Sequence, residues 1–469
     1  MKVFSRRIFE SAVVWTLLST FLRVGASVFV LPLVLRQLPA EHLGMWYVFG
    51  SLAGFAALLD LGFETTISRM TSYVWAGASR LTAFGFHDPG SEAETSHEPN
   101  RALFCDLLAT LRAYYLALGS AVLLLMSLGG GAWIWSKTAH LPDAATVRWA
   151  WLVYSLGTTL NFVGGRWPAL LGGIDQIRIA QQVSVVGLIF YYAIAVAGLT
   201  LGYGLWALVA AMFTMGVVAR SLGRVVFSRL AELPGGVPAP RFHPEIFAAI
   251  WPNAWRTGLV SLGAFLIVQA NTLVCSAVLG LNATASYGIS FQLASMLAGV
   301  SAVWVQVKLP QINQLRLRGE VEEISHLFAR RIRWTIVFFL VGALGIVFIG
   351  PAVLHFLGSR TPLLPLGPLA VLLVIQFFEV HHSQYAHLVL TENRNPFLKP
   401  ALLSGLAVVA LSVWLTPHLG VWGLLIAAGG VQACFNNWWT VLRGIRGLEI
   451  PPGRFFAEVF LLRRSRTPA

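Results

Sequence analysis

Residues 43–69, LGMWYVFGSLAGFAALLDLGFETTISR, indicate how the whole chain is built. The stretch opens with 17 uncharged residues, and a Trp-Tyr pair lies near their start. An uncharged run of that length, flanked by aromatic residues, is typical of a helix that crosses a lipid bilayer. Asp60, Glu64 and Arg69 follow, and charged groups at membrane depth are stable only where they face protein or a water-filled cavity. We therefore expect a membrane-spanning helix whose far end contacts the protein interior.

The composition predicts an integral membrane protein. The 469 residues are 57% hydrophobic and 11% charged, with a mean hydropathy of +0.71, whereas soluble domains carry about 25% charged residues. The longest polar stretch, 77–100, is too short to bury a core of its own. The three cysteines are scattered in or beside apolar runs, which argues against a disulfide or metal framework. We predict no metal site and no cofactor.

The apolar runs predict about twelve membrane-spanning helices of about twenty residues each. The predicted spans are 11–35, 43–66, 101–131, 147–170, 181–201, 204–224, 254–279, 285–307, 334–356, 367–390, 398–416 and 420–441.

The basic residues predict the orientation of these spans. Of the 33 lysines and arginines, 27 lie in loops or near span ends on the side of the N-terminus, four lie on the opposite side, and Arg23 and Arg112 fall inside spans. Basic loops face the cytoplasm, so both termini are expected to be cytoplasmic. The net charge of +13 then reflects the basic loops on the cytoplasmic side of the membrane. A nucleic-acid interface is the competing interpretation, and it is disfavoured because the charge is divided among seven short loops.

A proline- and glycine-rich stretch divides the chain in two. The residues 230–253, RLAELPGGVPAPRFHPEIFAAIWP, predict a semi-rigid cytoplasmic linker. We therefore predict an N-terminal lobe at 1–229, a C-terminal lobe at 254–441, each with six helices, and a basic cytoplasmic tail at 442–469. Both lobes would begin in the cytoplasm, as parallel repeats do. The tail alternates basic and bulky apolar residues, which predicts a helix resting on anionic lipid.

The stretch at 43–69, followed by YVWAGA at 73–78, resembles the start of the polysaccharide or O-antigen flippases of the Wzx type. That family belongs to the multidrug/oligosaccharidyl-lipid/polysaccharide exporter superfamily, which also contains multidrug antiporters and the lipid II flippase. The resemblance is best over residues 10–80. It implies an all-α polytopic, MATE-like fold, with two six-helix lobes around a central cationic cavity.

The same resemblance implies a function in transport and not in catalysis. An undecaprenyl-pyrophosphate-linked oligosaccharide would pass from the cytoplasmic to the periplasmic leaflet of a bacterial inner membrane by alternating access. Membrane lipids, and a polysaccharide polymerase or export machinery, are the partners that it implies.

Four arginines inside predicted spans are the candidate substrate ligands. Arg23 lies about twelve residues, or about 18 Å, from either end of the first span, too far for its charge to reach water comfortably. Arg112, Arg166 and Arg256 lie in the cytoplasmic halves of the third, fourth and seventh spans. Guanidinium groups bind phosphate oxygens in pairs and stay protonated, which suits a pyrophosphate. For Arg166 and Arg256 the alternative is that they merely end their helices at the cytoplasmic boundary.

The tenth span, LGPLAVLLVIQFFEVHHSQYAHLVLTE, is the candidate for ion coupling. Gln376, Glu379, Ser383 and His387 recur at spacings of three and four, which places them on one helix face. Glu379 lies near mid-span with His382 beside it, and buried carboxylates and imidazoles can exchange protons near neutral pH. We predict coupling to a proton or sodium gradient through Glu379, His382 and His387. The alternative is a satisfied polar contact between helices.

Asp60 and Glu64, one turn apart at the end of the second span, are further candidates for gating the cavity. The alternative is a structural pairing with Arg23 or Arg112. Gln269, Asn271 and Gln292 are polar positions that suit sugar or ion contacts.

The sequence argues against several other functions. It has no phosphate-binding loop of the G-x-x-x-x-G-K-[ST] type, so we do not expect it to hydrolyse ATP. A membrane-embedded lipid-modifying enzyme or ligase would need a large outer loop, and the longest one, 132–146, is too short. The remaining alternative within transporters is a multidrug or organic-cation antiporter of the same superfamily, which would need a more acidic or aromatic cavity.

Overall fold

The computed structural model describes residues 12–60, 62–82, 98–233, 236–392 and 396–460. The N-terminal basic residues and the tail arginines Arg463, Arg464 and Arg466 lie outside this part. Within it, the regular structure is helical throughout, as lipid requires of chains whose backbone groups must pair locally. The chain forms two compact units, unit 1 at Met1–Leu262 and unit 2 at Gly263–Ala469. The predicted lobe boundaries stay a prediction.

Unit 1 contains a first set of helices, the last of which continues into unit 2. They are α1 Ala12–Gln37, α2 Ala40–Ala57, α3 Phe63–Trp75, α4 Arg101–Leu124, α5 Gly131–Thr138, α6 Ala144–Gly164, α7 Arg166–Gly173, α8 Ile177–Thr200, α9 Leu205–Leu230 and α10 Pro244–Val268. The 3₁₀ turn Leu58–Asp60 follows α2, and a π-helical segment, Leu125–Gly130, joins α4 to α5.

Unit 2 contains the remaining helices. They are α11 Ala270–Val278, α12 Gly280–Gln306, α13 Leu309–Arg318, α14 Val321–Phe348, α15 Gly350–Phe356, α16 Leu366–Leu390, α17 Leu398–Leu419, α18 Val421–Cys434, α19 Asn436–Arg446 and α20 Pro452–Phe460.

The helices confirm the all-α polytopic class. Nine helical segments of the described chain are long and apolar enough to cross a membrane. Three further stretches, α1, α6 with α7, and α18 with α19, coincide with the predicted spans at 11–35, 147–170 and 420–441. The chain is a multi-pass membrane protein.

The second predicted span is not one continuous helix. The α2 helix ends at Ala57, and α3 begins only at Phe63. Between them Gly62 has φ +71, and a Cβ atom at this position would lie 2.6 Å from Cγ2 of Thr257. The Asp60 carboxylate accepts a hydrogen bond of 3.2 Å from the backbone N–H of Glu64, which satisfies one of the free donors at the start of α3. The predicted span at 43–66 is thus confirmed as a membrane-spanning segment over Ala40–Asp60, but its last residues, 63–66, belong to α3.

Small residues let α6 and α9 pack with their backbones in close contact. A Cβ atom on Gly216 would overlap the carbonyl oxygen of Gly157, and one on Gly157 would lie 2.7 Å from the Cα atom of Phe213. Such contacts are characteristic of membrane helices, where close approach and dispersion replace the hydrophobic effect. This packing determines where the C-terminal half of α9 lies relative to α7.

The tail helix α20 docks on protein. Phe455 and Val459, on its apolar face, are fully buried, and the Phe455 ring lies 6.0 Å from the rings of both Phe328 and Tyr385. Arg333 donates hydrogen bonds of 2.6 Å to the backbone carbonyls of Val459 and Glu458. The expectation that this segment rests on lipid is therefore wrong for α20, whose apolar face is covered by unit 2.

Candidate functional site

Arg166 is the most deeply buried of the four predicted arginine ligands. It begins α7, and its side chain is only 8% exposed. Its guanidinium carbon lies 4.6 Å from the ring centroid of Trp167 and 5.8 Å from that of Tyr115, which is cation–π geometry. The buried Nη1 atom has no hydrogen-bond acceptor among the described residues. The two rings thus orient the Arg166 guanidinium group, while the N–H groups of its Nη1 atom have no acceptor among the described residues.

Arg112, Arg220 and Arg224 lie close enough to Arg166 for their charges to act on it. We call Arg112, Arg166, Arg220 and Arg224 the basic cluster. Within the described ranges none of the four forms a salt bridge with a carboxylate. Burying positive charge is unfavourable unless an anion or several hydrogen bonds compensate it. Arg166 is therefore a buried cation whose charge no carboxylate of the described chain compensates.

The other contacts of the basic cluster are to the backbone. Arg112 donates 2.7 Å and 3.3 Å hydrogen bonds to the carbonyls of Pro238 and Val237, which ties α4 to the stretch between α9 and α10. Both bonds use one nitrogen of a group with five N–H donors. Asp60 does not pair with Arg112; it accepts a 2.7 Å hydrogen bond from the Tyr115 hydroxyl.

Arg220 and Arg224 belong to the basic cluster but were absent from the sequence-based site. They lie four residues apart on α9, so they share one face, and both side chains are exposed. A Cβ atom on Gly164 would lie 2.9 Å from the backbone nitrogen of Arg220, so this glycine is what allows α9 to lie so close to α6. Their spacing of four residues indicates a shared helix face, but in the sequence both arginines serve only as indicators of the cytoplasmic side.

Arg23 and Arg256 have other neighbours. The Arg23 side chain is exposed on α1, and its charge lies close enough to Glu64 and Tyr192 to act on both. The Arg256 guanidinium carbon lies 5.7 Å from the Trp255 ring centroid on α10. The structure thus brings together two of the four predicted ligands, Arg112 and Arg166, and the substrate-binding roles of all four stay predictions.

Unit 2 contains a separate polar pocket, which we call the α16 pocket. Its polar lining comes from Asn271, Tyr287, Gln376, Glu379 and Gln432. Leucine, isoleucine, valine, alanine and phenylalanine side chains form the remaining walls. The cavity volume of the pocket is about 20 Å³, which is enough for one water molecule or one small ion.

Hydrogen bonds orient the polar groups of the α16 pocket. Gln432 donates a 2.9 Å hydrogen bond to one carboxylate oxygen of Glu379. The Gln432 carbonyl accepts in turn from Asn436, whose amide also donates to the Ser404 hydroxyl at 2.9 Å. Ser412 donates to the Asn271 side-chain oxygen at 2.8 Å. The amide of Gln432 thus orients the Glu379 carboxylate, which also lines the pocket.

The predicted polar face of α16 forms only in part. Gln376 and Glu379 line the pocket, but the Ser383 hydroxyl donates to the carbonyl of Val380 on its own helix. His382 Nδ1 lies 4.0 Å from the Glu379 carboxylate and 3.0 Å from the Phe378 carbonyl. His387, two turns from Glu379, does not line the pocket. Tyr287 and Gln432 were missed by sequence reasoning, although Gln432 is a polar residue inside a predicted span.

The comparisons with known proteins bear on the fold. No family model and no curated protein matches this sequence. An inward-facing multidrug resistance MATE family transporter of the MOP superfamily matches with a TM-score of 0.61 and 14% identity, over 94% of this chain and 99% of that one. The lipid II flippase MurJ, in an inward closed conformation, matches with a TM-score of 0.62 and 10% identity, over 95% and 90%.

A third solved structure differs in the character of its binding pocket. It is a MOP superfamily transporter from Pyrococcus furiosus Vc1, for which reverse polarity of the binding pocket suggests a different function. It matches with a TM-score of 0.55 and 15% identity, over 95% of this chain and 98% of that one. These likenesses confirm the MATE-like fold over nearly the whole chain.

Proposed function

We propose that this chain is a MOP-superfamily flippase for an undecaprenyl-pyrophosphate-linked oligosaccharide. It would move this lipid from the cytoplasmic to the periplasmic leaflet of a bacterial inner membrane, with both termini in the cytoplasm. The fold that it shares with MATE transporters and with the lipid II flippase supports a transporter or flippase. The resemblance of residues 43–69 to Wzx-type flippases supports the substrate class. A polysaccharide polymerase or export machinery is a proposed partner.

The basic cluster is the observation that carries this proposal. A buried guanidinium group with an unused donor, next to three further arginines, requires negative charge for compensation. A pyrophosphate presents several anionic oxygens in the geometry that paired guanidinium donors recognise. Organic cations would be repelled from the same place.

The arrangement of the basic cluster suggests an order of contacts. Arg220 and Arg224 are exposed and would meet the head group first. Arg166 holds its charge between two rings at low solvent exposure, where charge–charge attraction is stronger than in water. Arg23 and Arg256 are proposed as further contacts of the head group during translocation.

The α16 pocket is the proposed coupling site. The Glu379 carboxylate, oriented by Gln432, would take up a proton or a sodium ion and so bias the alternating-access equilibrium. His382, His387, Asp60 and Glu64 are proposed to tune or gate this exchange.

The test is a flipping assay with the full-length protein in liposomes. Vesicles would contain a fluorescent undecaprenyl-pyrophosphate-linked saccharide, and the rate at which it becomes accessible in the opposite leaflet would be measured. We expect Arg166→Gln to slow flipping at least about tenfold, because a hydrogen bond to a charged group contributes about 1.5–3 kcal/mol. The matched control is Arg229→Gln, an exposed arginine of α9 outside the basic cluster. Equal rates for Arg166→Gln and the wild type would contradict the proposal.

A second candidate function is antiport of an organic cation. It is favoured by one observation, the Glu379 carboxylate of the α16 pocket, because exchange of a proton or sodium ion at a carboxylate inside a membrane protein would drive the export of a cation. The same liposomes, loaded with ethidium under a pH gradient, distinguish the two functions. Gradient-driven movement of ethidium that Arg166→Gln leaves intact, without flipping of the lipid-linked saccharide, would favour the antiporter.

A further inference from the structure

The helix α14 presents a long apolar surface to its surroundings. Only 17% of the residues in its most apolar stretch are buried, the smallest share among the nine candidate spans of the described chain. Trp334 is 48% exposed, Phe338 is 43% exposed and Val341 is 65% exposed. The spacing of four and then three residues places these side chains in one stripe along the helix. In a membrane protein a stripe of this kind faces the hydrocarbon of the bilayer.

A tryptophan from another helix widens the stripe at one end. Trp304 on α12 lies 5.9 Å from the Trp334 ring centroid and 6.3 Å from that of Phe338. Trp304 is itself 36% exposed. Tryptophan is favoured at the level of lipid head groups, so we expect this aromatic group at the boundary between head groups and acyl chains.

Two arginines lie one turn from Trp334, toward the start of α14. Arg330 is exposed and lies four residues from Trp334, on the same face. The Nε atom of Arg331 is closed off from solvent and has no hydrogen-bond partner among the described residues. The third arginine of this run, Arg333, is engaged by the carbonyls of α20.

We propose that Arg330, Arg331, Trp304 and Trp334 form a binding site for an anionic phospholipid. The two guanidinium groups would hold the phosphate of the head group, and the aromatic pair with Phe338 would contact the acyl chains. The predicted topology puts this end of α14 at the cytoplasmic leaflet, whose lipids are negatively charged. The charge of the arginines matches the phosphate of one lipid molecule, and the apolar stripe matches its acyl chains. This site is independent of the flipped substrate.

Native mass spectrometry of the full-length protein tests the proposal without any transport reaction. The protein would be held in micelles containing equal amounts of phosphatidylglycerol and phosphatidylcholine, and the ratio of the two bound lipids would be measured. We expect the wild type to prefer phosphatidylglycerol. The double substitution Arg330→Gln with Arg331→Gln should lower that preference about thirtyfold, the scale expected for two basic residues at an anionic surface.

The control removes the same charge elsewhere. Arg229→Gln with Arg446→Gln eliminates two exposed arginines at the ends of other helices and should change the preference less than twofold. Trp304→Leu with Trp334→Leu should reduce the retention of both lipids, because it removes contact with the acyl chains. All variants should unfold at the same temperature in phosphatidylcholine alone, which separates lipid binding from folding.

Two results would overturn the proposal. An equal loss of preference in the two arginine double variants would mean that phosphatidylglycerol responds to overall charge only. Loss of preference on neutralising Arg463, Arg464 and Arg466, with none on neutralising Arg330 and Arg331, would assign the lipid contact to the tail.

Discussion

Gly62 interrupts the second membrane segment for a local steric reason. Its φ of +71 is disfavoured for residues with a Cβ atom, and the Thr257 side chain occupies the space where that atom would lie. Hydropathy reports neither property, so the sequence extends the predicted span to residue 66, beyond the point where α2 and its 3₁₀ turn end. The break places Asp60 where it can accept from both Tyr115 and the start of α3.

The substitution Gly62→Ala should destabilise the protein for two separable reasons. The left-handed conformation costs about 1–2 kcal/mol with a Cβ atom, and overpacking against Thr257 adds about 1–3 kcal/mol. The control is Gly202→Ala, since Gly202 has φ +84 and no atom near the added methyl group. Thermal unfolding in detergent should show a larger loss for Gly62→Ala. Equal losses would mean that the contact with Thr257 gives way without cost.

The individual site residues show what a sequence can and cannot predict. Arg112 and Arg166 could be chosen because arginine is rare inside apolar runs. Arg220 and Arg224 could not be separated from topology-determining arginines, because their proximity to Arg166 depends on the glycine contacts between α6 and α9. Likewise Glu379 was predictable from its position in an apolar helix, whereas its partner Gln432 comes from another helix.

The helices were predictable because each must present about twenty apolar residues to lipid. Whether a given helix packs against lipid or against protein was less predictable. The α20 sequence is amphipathic, a pattern that suits a lipid surface and a protein groove equally well. The deciding contacts are Arg333 at its C-terminal carbonyls and Phe455 beneath it, and both depend on tertiary structure.

Arg333→Gln should loosen α20 without unfolding unit 2. The guanidinium group supplies charge-assisted hydrogen bonds to carbonyls at the end of the helix, where positive charge is favourable. Hydrogen exchange followed by mass spectrometry should show faster exchange over Pro452–Phe460 and unchanged exchange over Leu366–Leu390. Arg318→Gln, which neutralises an exposed arginine of α13, is the control and should leave both segments unchanged. Unaltered exchange in α20 would mean that burial of Phe455 suffices to hold it.

For the whole molecule, the basic cluster and the α16 pocket lie in different compact units. The fold class followed from composition, apolar runs and loop charges. The chemical division between an arginine-rich unit 1 site and a carboxylate-containing unit 2 pocket required the structure, because each site draws residues from several helices. The two proposed roles, substrate binding and ion coupling, can therefore be tested by separate substitutions.

Glu379→Gln should therefore produce a defect different from that of Arg166→Gln. The substitution keeps the side-chain size but removes the negative charge that an ion or proton would neutralise in the α16 pocket. In the flipping assay, we expect Glu379→Gln to abolish acceleration by an imposed proton or sodium gradient while flipping without a gradient persists. Glu323→Gln, which neutralises an exposed carboxylate of α14, should retain the acceleration. If Glu379→Gln responded to the gradient as the wild type does, the α16 pocket would have no part in coupling, and the basic cluster alone would have to account for transport.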